Sequence, residues 1–110
     1  MDELNNEPRA RLEVATDPDG GADLVVRLGG DLDLAGTNDL TTEVDALLAR
    51  APQPVLLDLA DVEFCDSSGI ALLIRLANHF GHVRTRAATP PVQRVIEVLG
   101  LADRLGLDGA

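Results

Sequence analysis

The sequence predicts a single small α/β domain: a mixed sheet of about four strands with helices packed on it. Short apolar segments alternate with segments of helical periodicity, in the order β-β-α-β-α-β-α. Strands separated by helices become parallel neighbours, whereas the first two strands are joined by a turn and should pair antiparallel. Residues 1–9 are polar and acidic, so we expect a flexible terminus ahead of a folded domain at 10–110.

The first two strands form a predicted hairpin. Residues 11–14 alternate between polar and apolar side chains, and residues 24–28 form a second, more apolar strand. The Asp-Pro-Asp-Gly-Gly segment at 17–21 is a strong turn signal between them. Gly29 and Gly30 then interrupt the apolar pattern, which predicts the end of the second strand.

The middle of the chain predicts a helix followed by a buried strand. Helical spacing runs from residue 37 to residue 49, and candidate N-cap residues are Thr37, Asn38 and Asp39. The apolar residues on one face of this helix are Leu40, Val44, Leu47 and Leu48. Residues 54–59 are short and apolar and follow two prolines, which favours a strand buried on both faces.

A second helix is predicted to begin near Ser67 and to end at Gly81. Its inner face repeats at three- and four-residue intervals through Ile70, Leu73, Ile74, Ala77 and Phe80. Asp66 or Ser67 is the predicted N-cap, since Asp and Ser accept hydrogen bonds from the free N–H groups of a helix start.

The carboxyl-terminal part predicts a strand, a helix and a short apolar tail. Residues 82–87 alternate as a strand, and Pro90-Pro91 opens a last helix that Gly100 closes. The predicted inner face of this helix comprises Val92, Val95, Ile96 and Leu99, and the leucines expected to fold back onto the core are Leu101, Leu105 and Leu107.

Composition excludes several classes of function. The net charge is −10 and all nine basic residues are Arg, which disfavours nucleic-acid binding and excludes a P-loop, because that motif needs a Lys. The single cysteine, Cys65, predicts a reducing compartment. No apolar run approaches the roughly 20 residues of a membrane span, and the start is too acidic for a signal peptide. We therefore expect a cytoplasmic protein without direct membrane insertion.

Asp66-Ser67-Ser68-Gly69 is the most informative segment of the chain. It lies where a buried strand passes into a helix, so a phosphate on Ser67 or Ser68 would lie at the positive end of that helix. The same residues are also typical of an ordinary helix start. The local sequence leaves both a structural cap and a phosphorylation switch open.

Enzymatic sites have weaker support. Asp31 and Asp33 follow a strand, as the carboxylates of a small Mg-dependent phosphatase do, but such enzymes also need a Lys, and both residues fit turn or cap positions. His79, His82 and Cys65 lack the spacing of a metal site. We expect no catalytic residue, no metal and no cofactor.

Three segments together resemble the STAS domains of anti-sigma factor antagonists. Residues 30–33, Gly-Asp-Leu-Asp, resemble the Gly-Glu-Leu-Asp typical of that family. Residues 55–70 are similar to its central strand, loop and phosphorylation motif, and residues 92–101 look like its last helix and Gly-Leu ending. The resemblance covers residues 10–107 and follows the order of elements predicted above.

The resemblance implies a binding switch and not an enzyme. In such proteins the first Ser of the motif, here Ser67, is phosphorylated by a serine kinase that is also an anti-sigma factor. The unphosphorylated antagonist binds this kinase and releases a sigma factor for transcription, and a PP2C-type phosphatase restores the antagonist. The residues implied to form the partner-binding surface are Asp33, Asp66, Ser68, Gly69 and Ile70.

The same resemblance leaves a second role open. STAS domains also occur as accessory subunits of lipid-trafficking ABC transporters and in larger stress-signalling complexes. The intact Asp66-Ser67-Ser68-Gly69 segment favours the sigma-regulatory role.

Overall fold

The computed structural model describes residues 8–17, 20 and 24–107 of the chain. Its elements in chain order are β1 (Ala10–Ala15), β2 (Leu24–Leu32), α1 (Leu34–Asp39), α2 (Thr41–Leu48), β3 (Val55–Cys65), α3 (Ser67–Phe80), β4 (Val83–Arg86) and α4 (Pro90–Val98). Residues 1–7 of the predicted flexible terminus and most of the predicted turn at 17–21 lie outside the described residues. Within the described ranges, no helix has the length and apolar character needed to cross a membrane.

The four strands form one mixed sheet in the order β1-β2-β3-β4, which confirms the predicted fold class. β1 pairs antiparallel with β2, and β2, β3 and β4 pair parallel. Leu32 at the end of β2 pairs with Cys65 at the end of β3. The loops that follow these two strands therefore leave the same edge of the sheet side by side.

The predicted end of β2 at Gly29-Gly30 is wrong, because the strand continues to Leu32. Gly30 has φ +82°, and a Cβ atom at this position would overlap the carbonyl oxygen of Arg9. The glycine thus permits the start of β1 to lie against β2 where a side chain would keep the strands apart.

β3 is longer than the predicted strand at 54–59 and ends at Cys65. Its pairing with β2 contains register shifts between Arg27 and Gly29 and between Gly30 and Asp31. Polar residues in its second half weaken the local strand signal, and pairing with the neighbouring strand supplies the missing stability. This extension places Asp66 at the same edge as Asp33.

The predicted helix at 37–49 is two helices, and its proposed N-caps at Thr37, Asn38 and Asp39 are wrong. α1 begins at Leu34, three residues earlier, because Asp33 supplies the cap. The chain turns at Leu40, whose side chain is 2% exposed, before α2 begins. A buried leucine at the turn fixes both short helices to the core.

The core lies between one face of the sheet and the helices. It joins leucine and valine side chains from β2 and β3 to the inner faces of α2, α3 and α4, and Leu105 of the carboxyl-terminal tail closes it. The predicted inner position of Leu99 is wrong, because α4 ends at Val98 and Leu99 is exposed. On the other face of the sheet, Asp58 forms ion pairs with Arg27 and Arg86 on the flanking strands.

Candidate functional site

The ends of β2 and β3 build a site from two loops of the same design. Each strand is followed by an aspartate in extended conformation, Asp33 after β2 and Asp66 after β3, and a helix begins at the next residue. The two loops also contact each other, since the Asp66 backbone N–H donates to the Leu32 carbonyl oxygen at 3.3 Å. The parallel pairing of β2 with β3 brings these two aspartates to the same edge of the sheet.

Asp66 is the N-cap of α3. Its Oδ1 atom accepts hydrogen bonds from the backbone N–H groups of Ser68 at 2.8 Å and Gly69 at 3.4 Å. The sequence leaves the cap open between Asp66 and Ser67, and the structure assigns it to Asp66. The Ser67 hydroxyl is therefore not needed to begin the helix.

Ser67 is exposed at the first position of α3. Within the described part of the chain, its hydroxyl takes part in no hydrogen bond, whereas Ser68 beside it is half-buried. A phosphate at this position would meet the positive end of the α3 dipole. The helix dipole favours a phosphate on either serine, and the greater accessibility of Ser67 favours it over Ser68 as an acceptor of a phosphoryl group.

Gly69 and Ile70, expected in the partner-binding surface, are buried instead. A Cβ atom on Gly69 would overlap the Leu32 carbonyl oxygen and would lie 2.6 Å from the Cys65 Sγ atom. Ile70 is 5% exposed and packs in the core. Both residues therefore expose little surface, and Gly69 permits the close approach of the first turn of α3 to β2.

Asp33 is half-buried and has two roles. Its Oδ1 atom accepts from the Gly36 N–H at 2.8 Å, which caps α1. Its Oδ2 atom lies 2.6 Å from the Arg9 Nη2 atom in an ion pair. The hydrogen bond from Arg9, followed by the one from Gly36, lowers the pKa of the Asp33 carboxyl below its usual range. Asp33 is therefore a carboxylate near neutral pH.

Arg9 is the member of this site that sequence reasoning missed. Its guanidinium also reaches Asp31, with the Nη2 atom 3.3 Å from the Asp31 Oδ2 atom. Its backbone N–H donates to the Asp39 Oδ2 atom at 3.0 Å, so Arg9 contacts residues at both ends of α1. The only sequence signal was the excess of Asp in the segment that follows β2, which implies a nearby cation but not its position.

The carboxylate pair that suggested a magnesium-dependent phosphatase is thus held by an arginine. Asp31 and Asp33 both face the Arg9 guanidinium. Across the described residues, no set of three or more His, Cys, Asp or Glu side chains is grouped in a way that could hold a metal ion. The His79 Nε2 atom donates a hydrogen bond to the Arg50 carbonyl oxygen at 2.7 Å, far along α3 from Ser67.

Cys65 lies directly under the first turn of α3. Burial, followed by the charge of Asp66, raises the pKa of its thiol to about 11. A thiol with so high a pKa is protonated at neutral pH and is a poor nucleophile or metal ligand. Cys65 is a packing residue next to the site and not a reactive group within it.

The surface around Ser67 combines apolar and polar elements. Leu34 is 64% exposed directly after Asp33, and Phe64 is 52% exposed three residues before Ser67. Between α1, α2 and α3 lies a small cavity of about 150 Å³ next to Ser68, and its polar and charged lining residues include Thr37, Asn38, Thr41, Asp45 and Arg75. Exposed apolar side chains beside a polar depression are typical of a protein-binding surface.

Comparisons with known proteins agree on one family. The family model described as "Mlab, STAS domain" matches residues 15–107. An anti-sigma F factor antagonist from Paenibacillus polymyxa is 31% identical over an alignment of 83 residues, and the match covers 71% of this chain and 71% of that protein.

Solved structures share this fold. The crystal structure of an anti-sigma factor antagonist from Mycobacterium paratuberculosis is 27% identical and superposes with a TM-score of 0.72, covering 92% of this chain and 86% of that one. The unphosphorylated form of the anti-sigma factor antagonist SpoIIAA is 23% identical, with a TM-score of 0.62 over 89% of this chain and 86% of that one, and shares the fold.

Proposed function

This chain belongs to the STAS-domain family of anti-sigma factor antagonists, and we propose that it acts as such an antagonist, switched by phosphorylation of Ser67. In its unphosphorylated form it binds a serine kinase that is also an anti-sigma factor, and the sigma factor is released. Phosphorylation by that kinase ends the binding, and a PP2C-type phosphatase restores it.

The observation that carries this proposal is that the Ser67 side chain is exposed and its hydroxyl is not used by the fold of the described residues. The residue is exposed at the first position of α3, and Asp66 has already taken the capping role. A hydroxyl that the fold does not use can be modified without a loss of native hydrogen bonds. Gly69, in contrast, is buried against the Leu32 carbonyl oxygen and helps to fix the backbone that presents Ser67.

Phosphorylation should leave the domain folded. The modification adds roughly −1.5 to −2 charges at neutral pH, and these charges lie at the positive end of α3. Docking of a partner on the same surface should be disfavoured, because the phosphate adds charge and bulk beside Asp66 and next to the loop that carries Asp33. We therefore attribute the switch to steric blockage and to the cost of burying the charged phosphate against the apolar part of the docked contact, and not to refolding.

The residues around Ser67 form a single proposed partner-binding surface. Asp33 and Asp66 supply negative charge, Ser68 borders the cavity between α1, α2 and α3, and exposed Leu34 supplies an apolar contact. An acidic surface with an apolar centre fits a partner surface that is basic around an apolar pocket.

The experiment that tests this function is a kinase assay with defined substitutions. The purified chain is incubated with ATP and each candidate kinase-type anti-sigma factor, and intact-mass spectrometry records the phosphate. We expect one added phosphate on the wild type and on S68A, and none on S67A. A phosphate that persists on S67A would contradict the choice of acceptor.

Two further arms address the other roles considered for this chain. Binding of the unphosphorylated chain to the kinase, measured by calorimetry, should be lost after phosphorylation and regained after treatment with a PP2C-type phosphatase. Stable co-purification with an ABC transporter and no binding to any kinase-type anti-sigma factor would instead favour the accessory-subunit role. Hydrolysis of p-nitrophenyl phosphate with Mg²⁺, lost in D31N, would revive the phosphatase role.

A further inference from the structure

The contact between Arg9 and the carboxylates beside Ser67 has a consequence for partner binding. Arg9 directly precedes β1, and Asp31 and Asp33 lie at the end of β2. Three donor–acceptor distances join the guanidinium to these carboxylates: Nη2 to Asp33 Oδ2 at 2.6 Å, Nη2 to Asp31 Oδ2 at 3.3 Å and Nε to Asp33 Oδ1 at 3.4 Å. One side chain thus binds both carboxylates.

The position of Arg9 is fixed by its backbone and not only by its charge. Its carbonyl oxygen accepts from the Asp31 N–H at 2.8 Å, and its N–H donates to the Asp39 Oδ2 atom at 3.0 Å. Gly30 makes this approach feasible, since any side chain there would overlap the Arg9 carbonyl oxygen. The guanidinium is therefore presented to Asp33 by an ordered backbone, which reduces the entropy lost when the pair forms.

Arg9 is also the outer member of the pair. Its side chain is 50% exposed, whereas the Asp33 side chain is 20% exposed. A protein that approaches Asp33 from solvent meets the guanidinium first. Because an exposed ion pair contributes little net stability in water, a well-placed cation of a partner can displace it.

We propose that Arg9 is an intramolecular competitor for the Asp33 carboxylate and sets the affinity of the Ser67 surface for a basic partner. This inference rests on the proposed function and adds a regulatory residue to it. While Arg9 occupies Asp33, the carboxylate is unavailable to a partner's Arg or Lys, so the apparent Kd rises in inverse proportion to the fraction of molecules in which Asp33 is free. The partner chemistry that fits is a cation aimed at Asp33, as expected for a surface on a chain of net charge −10.

The test compares binding of the kinase-type anti-sigma factor that phosphorylates Ser67 with wild type, R9A, D33N and the double variant. We expect R9A to lower the Kd about twofold to fivefold, the range that an exposed ion pair can supply. On the D33N background, less than half of this gain should remain. R11A is the matched control: Arg11 lies two residues away and forms no ion pair with a described residue.

A second measurement tests the contact without any partner. Arg9 holds the pKa of Asp33 down, so NMR titration of R9A should move this pKa upward, toward the ordinary value of about 3.9. Circular dichroism verifies that R9A is folded, and R9K serves as a milder variant that cannot donate from two nitrogen atoms.

The outcomes separate this inference from the function on which it rests. If R9A binds as the wild type does, or more weakly, the competitor role is wrong although the antagonist function stands. An unchanged pKa of Asp33 in R9A would also overturn it. If no kinase-type anti-sigma factor binds the wild type, the proposed function fails and this inference fails with it.

Discussion

Asp33 and Asp66 occupy equivalent positions at the ends of neighbouring parallel strands. Each is extended, with φ −105° and ψ −173° for Asp33 and φ −107° and ψ −162° for Asp66. Each accepts a hydrogen bond of 2.8 Å from a backbone N–H of the helix that follows. The residue after the cap is Leu34 in one loop and Ser67 in the other, so the site presents an apolar side chain and a hydroxyl from the same position of two helices.

The first prediction concerns a fixed charge at the acceptor. S67D should weaken binding to the kinase-type anti-sigma factor about tenfold or more, because the docked contact would have to bury an unpaired carboxylate at this position. It should remain folded, since a carboxylate is favourable at a helix N-terminus. The matched control is T42D, which places the same charge in the first turn of α2 on an exposed residue. Equal binding of S67D and wild type in calorimetry would refute the mechanism.

A second prediction concerns the cap of α3. D66A should lower the free energy of unfolding by about 1 kcal/mol, because two backbone N–H groups lose their acceptor. D66N should lose much less, since Asn is an equally good cap. Urea unfolding monitored by circular dichroism measures both variants. Equal losses would show that the charge of Asp66, and not its hydrogen bonds, stabilises the helix.

A third prediction concerns the close approach of α3 to β2. G69A should lower the free energy of unfolding by about 1–3 kcal/mol, because the added methyl group would overlap the Leu32 carbonyl oxygen. S68A, one residue earlier and half-buried, should stay within about 0.5 kcal/mol of the wild type. Thermal and urea unfolding report the difference, and an unchanged G69A would mean that the two elements can separate without cost.

The fourth prediction is a pH dependence of stability from Asp33. Its pKa is lowered in the folded protein, so its contribution is fully present above the unfolded value of about 3.9 and is lost as the pH falls through the folded value. The stability difference between wild type and D33N should therefore be constant from pH 7 to 5 and shrink below about pH 4. Urea unfolding across this range measures it. A difference that grows in acid would reverse the assigned sign.

The fifth prediction concerns Cys65. With a pKa of about 11, its thiol is almost entirely protonated at pH 8. Its reaction with a disulfide reagent should be at least about a hundredfold slower than that of an unperturbed thiol, because only the thiolate reacts. Unfolding in urea should restore the ordinary rate. Fast labelling of the native protein would show that the first turn of α3 opens readily.

The helices α3 and α4 and the last strand, β4, were predictable because their signals are local. The apolar repeat of α3, the glycine in left-handed conformation at Gly81 and the prolines that open α4 each act within a few residues. Predictions failed where a neighbouring element decides the outcome. β2 continues through Gly29-Gly30 and β3 continues to Cys65 because each is paired with the other.

The distinction between local sequence signals and contacts with neighbouring elements also applies to the site. The sequence by itself determined the α/β order, the acidic surface and the Asp66-Ser67-Ser68-Gly69 helix start, since periodicity, charge and capping preference are properties of nearby residues. Only the tertiary structure decided that Asp33 lies beside Asp66, that Ile70 is buried and that Arg9 binds a carboxylate 24 residues away. These facts depend on strand register and on helix rotation about its axis, which the packing of the whole core fixes.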